Sequence, residues 1–158
     1  MMQRKAGRCA VAELHKVEAW LDALLSQLEP AERKKMLRDV ARDVRRIQQQ
    51  NITAQLSPNG TAWEPRRVTA RTKLGRIRRK MFAKLKMAKY LKAQANSNEA
   101  VVEFVPGVQR LVRVHHYGLR DRVNRQGTEV KYAERPLLGI NEQSENAIHE
   151  ALIKWLIK

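Results

Sequence analysis

Residues 66–92 hold twelve Lys and Arg and no Asp or Glu, and any fold of this chain must accommodate that density of like charge. The 158 residues carry 32 basic and 16 acidic side chains in all, so +12 of the formal +16 sits in these 27 residues and the remainder is nearly balanced. A run this basic repels itself, and it is expected to face a polyanion or an acidic protein surface; the plainer alternative is a solvated face that keeps the protein soluble. Apolar residues within the run argue against a disordered tail. Ile77, Met81, Leu85 and Ala88 recur at helical spacing, with Phe82 beside them, while Arg76, Arg79, Lys80 and Lys86 fall on roughly the opposite arc. The spacing predicts a loop to Gly75 and then a helix over about 76–88, docked on a core and presenting cations outward. Arg66, Arg67, Arg71, Lys73, Arg76, Arg79, Lys80 and Lys86 are therefore the candidate side chains for contact with a partner or with DNA.

The length suits one domain, or one domain with a helical appendage, and is enough to bury a real core. Apolar and charged contents are those of a globular protein. Aromatic residues are few, which disfavours a reader of single strands that stacks bases on Trp, Tyr and Phe. No apolar run approaches the roughly 20 residues of a membrane span, and the start MMQRKAGRCAVAELHK does not read as a signal peptide. Residence in a reducing cytoplasm is the default expectation. Cys9 is the sole cysteine, so neither an internal disulfide nor a Cys-based zinc site can form within the chain.

Leu14, Val17, Leu21, Leu24 and Leu28 follow a three-four spacing that predicts an amphipathic helix over about 10–28. Glu29-Pro30 ends it, and Pro30 suits the first position of a second helix, with Glu32 near its positive end. That helix continues through Met36, Leu37, Val40, Val44 and Ile47 on one face. The two helices are expected to pair as an antiparallel hairpin over residues 1–56, joined to an α+β core over 57–158. Ser57-Pro58-Asn59-Gly60-Thr61 is a turn by composition, and Trp63, held between it and Pro65, reads as a plug pinning a loop to the core.

Beyond the basic run, residues 90–95, the turn 96–99 and residues 101–105 read as strand, tight connection and strand. The second strand is almost wholly apolar, which predicts a central position in a sheet. Val108, Leu111, Val112 and His115 fall at helical spacing after Pro106-Gly107, with Gly118 as a left-handed cap. Residues 120–127 read as a polar loop and 128–133 as a third strand. Asn141 can cap a last helix with the stripe Ile148, Ala151, Leu152 and Trp155. The expected fold is a small antiparallel sheet packed by helices, with the N-terminal helical hairpin.

The devices of catalysis and metal binding are missing. There is no glycine-rich phosphate loop, nucleophile elbow or HExxH motif. His115 and His116 are adjacent, so on a helix they diverge, whereas two ligands on one face need a spacing of three or four. Helix-turn-helix and zinc-finger spacings are missing too, so sequence-specific DNA reading has no device.

Five segments taken together, NGTAWEPR at 59–66, GRIRRKMFAKL at 75–85, YLKAQA with VVEF at 90–95 and 101–104, VHHYGLRDR at 114–122, and ERPLLGI at 134–140, resemble the phage virion morphogenesis family, which includes the S-type tail completion proteins of contractile-tailed temperate phages. The resemblance runs from the hairpin to the final helix. It implies a structural protein, without catalysis or cofactor, that is assembled in the host cytoplasm and completes the head-proximal end of the virion tail so that a filled head can join. Other tail and neck proteins would then be its partners. A tail end has rotational symmetry, so self-association into a closed ring is expected. The family often carries Gln where this chain has His116, and it supplies no defined functional residues to transfer. The competing expectation is a protein that binds nucleic acid without sequence preference through residues 66–92; the two overlap if the protein lines a channel that DNA traverses. A small nuclease is disfavoured because no carboxylates cluster.

Overall fold

The computed structural model describes residues 22, 29–66, 80–123 and 127–157. The first arm of the expected hairpin lies outside these residues except for Asp22, which is helical. Helix α1 spans Pro30–Ala54, with Pro30 at its first turn as the spacing predicts. It buries Met36, Val40, Ala41, Val44, Ile47, Gln48 and Ile52. The helix stops at Gln55, which adopts a left-handed conformation at φ 63° and turns its N–H back to the carbonyls of Asn51 and Ile52. A non-glycine residue in this region is uncommon and must be held there by its surroundings.

Strands β1 (Leu91–Ala95) and β2 (Ala100–Phe104) pair antiparallel with Leu91 opposite Phe104 and Ala95 opposite Ala100. Their connection is closed by Asn96, whose Oδ1 accepts the N–H groups of Asn98 and Glu99 at 2.7 and 2.8 Å. This hairpin packs on α1. Helix α2 (Pro106–His116) follows directly. Gly118 then sits at φ 61°, and the N–H of Leu119 donates to the carbonyl of Val114 at 2.8 Å, a Schellman-type ending. Strands β3 (Arg120–Arg122) and β4 (Glu129–Lys131) make a second antiparallel pair. Arg110 on α2 donates to the Asp121 carboxylate on β3 and holds that carboxyl below the usual range. Helix α3 (Glu142–Leu156) lies along α1. Asn141 caps it as expected, accepting from both the N–H and the hydroxyl of Ser144 at 2.8 Å.

The core joins these elements through Ile52, Trp63, Leu85, Leu91, Phe104 and Leu137. Trp63 is the plug that its bracketing predicts: it is 6% exposed and its Nε1 donates to the Pro136 carbonyl at 3.0 Å. The class is α+β, but among the described residues the strands form two two-stranded sheets.

Four expectations are corrected. Residues 81–90 are successive turns rather than the end of a helix. Their amides bond three residues back, as in Leu85 to Phe82 and Tyr90 to Met87, and Phe82 at φ 58° is incompatible with a right-handed helix. Among the described residues strand β2 pairs with β1 alone and is not central; there its apolar side chains are covered by helices rather than by a further strand. Residues 120–122, expected in a loop, are a strand. Leu111 faces outward at 45% exposure and Val114 is buried instead.

Candidate partner-facing surface

Arg67, Arg71, Lys73, Arg76 and Arg79 lie outside the described residues. Arg66, Lys80 and Lys86 lie within them, and they do not form one outward row. Arg66 is exposed, and its charge acts on the imidazole of His115. Lys80 and Lys86 instead converge on the end of α1. The Lys80 ammonium donates to the Thr53 carbonyl at 2.8 Å, and that of Lys86 donates to the Thr53 hydroxyl at 3.0 Å. The last turn of α1 contains no basic residue of its own. These two lysines therefore place positive charge where the helix dipole and an unsatisfied terminal carbonyl favour it. Each ammonium keeps further donors for a partner.

Between this helix end and the turns is an open groove of about 570 Å³, whose lining includes Arg46, Gln49, Thr53, Lys80, Lys86 and Met87. The Gln49 amide donates to the Lys86 carbonyl and ties the two walls together. Met87 is 52% exposed, so the groove combines an apolar wall with three cations. Such a surface is complementary in charge and polarity to carboxylates that come with apolar neighbours. Arg46, Gln49 and Thr53 were legible only as the polar side of α1. Their spacing of three and four marks a shared face, but nothing local in the sequence says that residues 80–87 lie against it.

The loop carrying Arg66 is fixed from the far end of the chain. Arg135, 6% exposed, donates through Nε to the Glu64 carbonyl at 2.9 Å and through Nη2 to the Pro65 carbonyl at 3.4 Å. Asn141 Nδ2 donates to the Pro58 carbonyl at 2.7 Å, and Gln48 Nε2 to the Gly139 carbonyl at 2.7 Å. A Cβ on Gly139 would come within 2.9 Å of the Pro58 ring, so this close approach needs glycine. The segments 57–65 and 135–141 are thus clasped together along their length.

An aromatic row runs under the clasp. Trp63 meets Phe82 edge-on at 5.5 Å, Phe82 meets His115 at 4.9 Å, and His115 meets Tyr132 at 4.7 Å. Burial, followed by the charges of Arg135 and Arg66, depresses the His115 pKa below its usual value. Its Nδ1 is buried without a hydrogen-bond partner. His116 instead ties two segments together, its Nδ1 accepting the N–H of Leu137 at 3.2 Å. Among the described residues no three His, Cys, Asp or Glu side chains come together to hold a metal, and no helix is long and apolar enough to cross a membrane.

The sequence model of the phage virion morphogenesis family matches residues 12–157. The chain belongs to this family. Among curated proteins it is similar to tail completion protein S of Escherichia phage P2, with 34% identity over 146 residues, covering 91% of this chain and 97% of the relative. No solved structure matches. The segments that carry the resemblance to the phage virion morphogenesis family are largely those of the clasp and its aromatic row. Within these segments Trp63, Arg135, Gly139 and Gly118 are held in place by packing and hydrogen bonds. The departure at His116 is chemically mild, since an acceptor for the Leu137 N–H can also be supplied by a glutamine side chain.

Proposed function

We propose that this chain is a structural tail completion protein that finishes the head-proximal end of a phage tail and enables a filled head to join. The observation that carries the reading is the 34% identity to tail completion protein S across 97% of that protein, which leaves no room for a different domain in the aligned part. Membership of the virion morphogenesis family supports it. The charge distribution fits the role, because a tail end must meet both neighbouring virion proteins and the DNA that passes through. In this reading the chain acts as a closed homo-oligomeric ring, with cations of residues 66–92 turned toward an acidic partner or the channel.

The test is a phage lacking this protein, complemented with the wild-type chain and viewed by electron microscopy. Separate full heads and tails in the absence of the protein, and several copies per tail at the head-proximal end in complemented particles, are expected. Normal joined virions without it, or a single copy per particle, would overturn the reading.

A further inference from the structure

Two grooves of opposite charge border α1. One is the cationic groove of Arg46, Lys80 and Lys86. The other lies where Ile47 faces the first three turns of α3, and its lining includes Glu142, Asn146 and Glu150 but no Lys or Arg. Arg46 and Ile47 are successive residues, so the grooves open about 100° apart around the helix and are distinct surfaces.

The exposed side of α3 carries more than acids. At about 100° per residue, Glu142, Glu145, Asn146 and Glu150 fall in one arc with Ile153 and Ile157. Ile153 is 54% exposed and Ile157 80%. Among the described residues none of the three glutamates makes an ion pair, and neither do Lys80 and Lys86. The face therefore offers carboxylates at one end and aliphatic carbons at the other, and the cationic groove offers ammonium groups beside an exposed methionine.

We infer that the acidic and aliphatic face of α3 in one copy of the chain docks into the Arg46, Lys80 and Lys86 groove of the next. The inference rests on the ring reading above and gives that ring its contact. Charge selects a second copy as the occupant. A protein of formal charge +16 repels its own kind over most of its surface, so contact between copies is favoured where acids without ion pairs meet cations. The apolar component argues against DNA in this groove, since phosphate contacts gain nothing from Met87, whereas Ile153 and Met87 can exclude water from the ion pairs. Because the two surfaces differ, the contact is heterologous and propagates until the rotation closes it.

The experiment uses purified full-length protein, native mass spectrometry and sedimentation. A groove variant combines Arg46→Glu with Met87→Glu; both side chains are exposed and neither takes part in the Lys–Thr53 contacts. A face variant combines Glu145→Lys with Glu150→Lys, and circular dichroism checks the folding of both. The wild type should form a closed oligomer and each variant alone should be monomeric. Mixing the two variants should restore assembly, because one intact groove meets one intact face and the two charge-reversed surfaces are again complementary. A wild type that stays monomeric at NMR concentrations, variants that assemble normally, or a mixture that does not pair would overturn the inference. So would a groove variant that keeps its oligomer but loses affinity for a random DNA duplex, a result that would assign the groove to nucleic acid. Failure here removes the contact alone, whereas failure of the tail-end role is read separately, from particles.

Discussion

The side chain of Gln55 and the backbone of Met81 exchange two hydrogen bonds, the Met81 N–H donating to Oε1 at 2.8 Å and Nε2 donating to the Met81 carbonyl at 2.9 Å. This reciprocal pair joins the end of α1 to the start of the turns that complete the cationic groove. It also accounts for the left-handed backbone of Gln55, since the same amide donates to the Ile52 carbonyl and closes the helix. Gln55→Ala should cost about 1–3 kcal/mol, because it leaves Met81 polar groups unpaired while keeping the backbone strain. Gln55→Gly should cost less, since glycine accepts the positive φ. Urea unfolding of both variants decides the matter, and an alanine variant as stable as wild type would show that the clasp contributes nothing.

Trp63→Phe should destabilise by about 1–3 kcal/mol, since the Pro136 carbonyl loses its donor and the smaller ring leaves space in the core. Trp63→Ala should cost more, about 3–5 kcal/mol. Chemical denaturation measures both. Equal stability of the phenylalanine variant and the wild type would reduce the Trp63–Pro136 bond to a bystander.

Gly118 and Gly60 both have positive φ but differ in their surroundings. A Cβ on Gly118 would meet the Glu134 backbone at 3.0 and 3.1 Å, whereas a Cβ on Gly60 meets nothing within 4 Å. Gly60→Ala should therefore show only the conformational cost, about 1–2 kcal/mol, and Gly118→Ala a clearly larger loss. Melting temperatures of the pair would refute this if the two changes were equivalent.

His115 predicts a pH dependence. Its folded pKa lies below the unfolded value of about 6.5, so the unfolded chain binds the proton more readily. Stability should be intact above the unfolded pKa, fall as the pH drops below it, and level off beneath the folded pKa. His115→Phe keeps a ring beside Phe82 and Tyr132 and removes the titration. The difference in stability between wild type and variant should therefore shift against the wild type on going from neutral to mildly acidic pH. Parallel profiles would sink the idea.

Within the cation run, Lys80 and Lys86 bond to the end of α1. Lys80→Glu and Lys86→Glu would bring an anion to the negative end of α1, and each should cost about 0.3–1 kcal/mol from the helix dipole alone. DNA binding by the whole protein should be indifferent to sequence and fall steeply with salt, because the run has no groove-reading element. Fluorescence anisotropy with specific and scrambled duplexes tests this, and tight discrimination at near-physiological salt would contradict it.

The elements whose signals are local are legible in the chain alone. Pro30 and the apolar stripe through Ile47 define α1, the turn residues at 96–99 define the β1–β2 hairpin, Asn141 starts α3, and Gly118 ends α2. Each depends on backbone geometry or spacing within a few residues. Long-range contacts set the course of residues 80–90. Their apolar spacing suits a helix, but the Gln55 side chain takes both Met81 backbone groups, Phe82 turns left-handed to reach Trp63 and His115, and Lys80 and Lys86 bend back to Thr53. The position of β2 was decided in the same way, because an apolar strand is satisfied equally by flanking strands or by helices. Periodicity records how much of a segment is buried and on which side, but the partner that buries it lies tens of residues away and leaves no local mark.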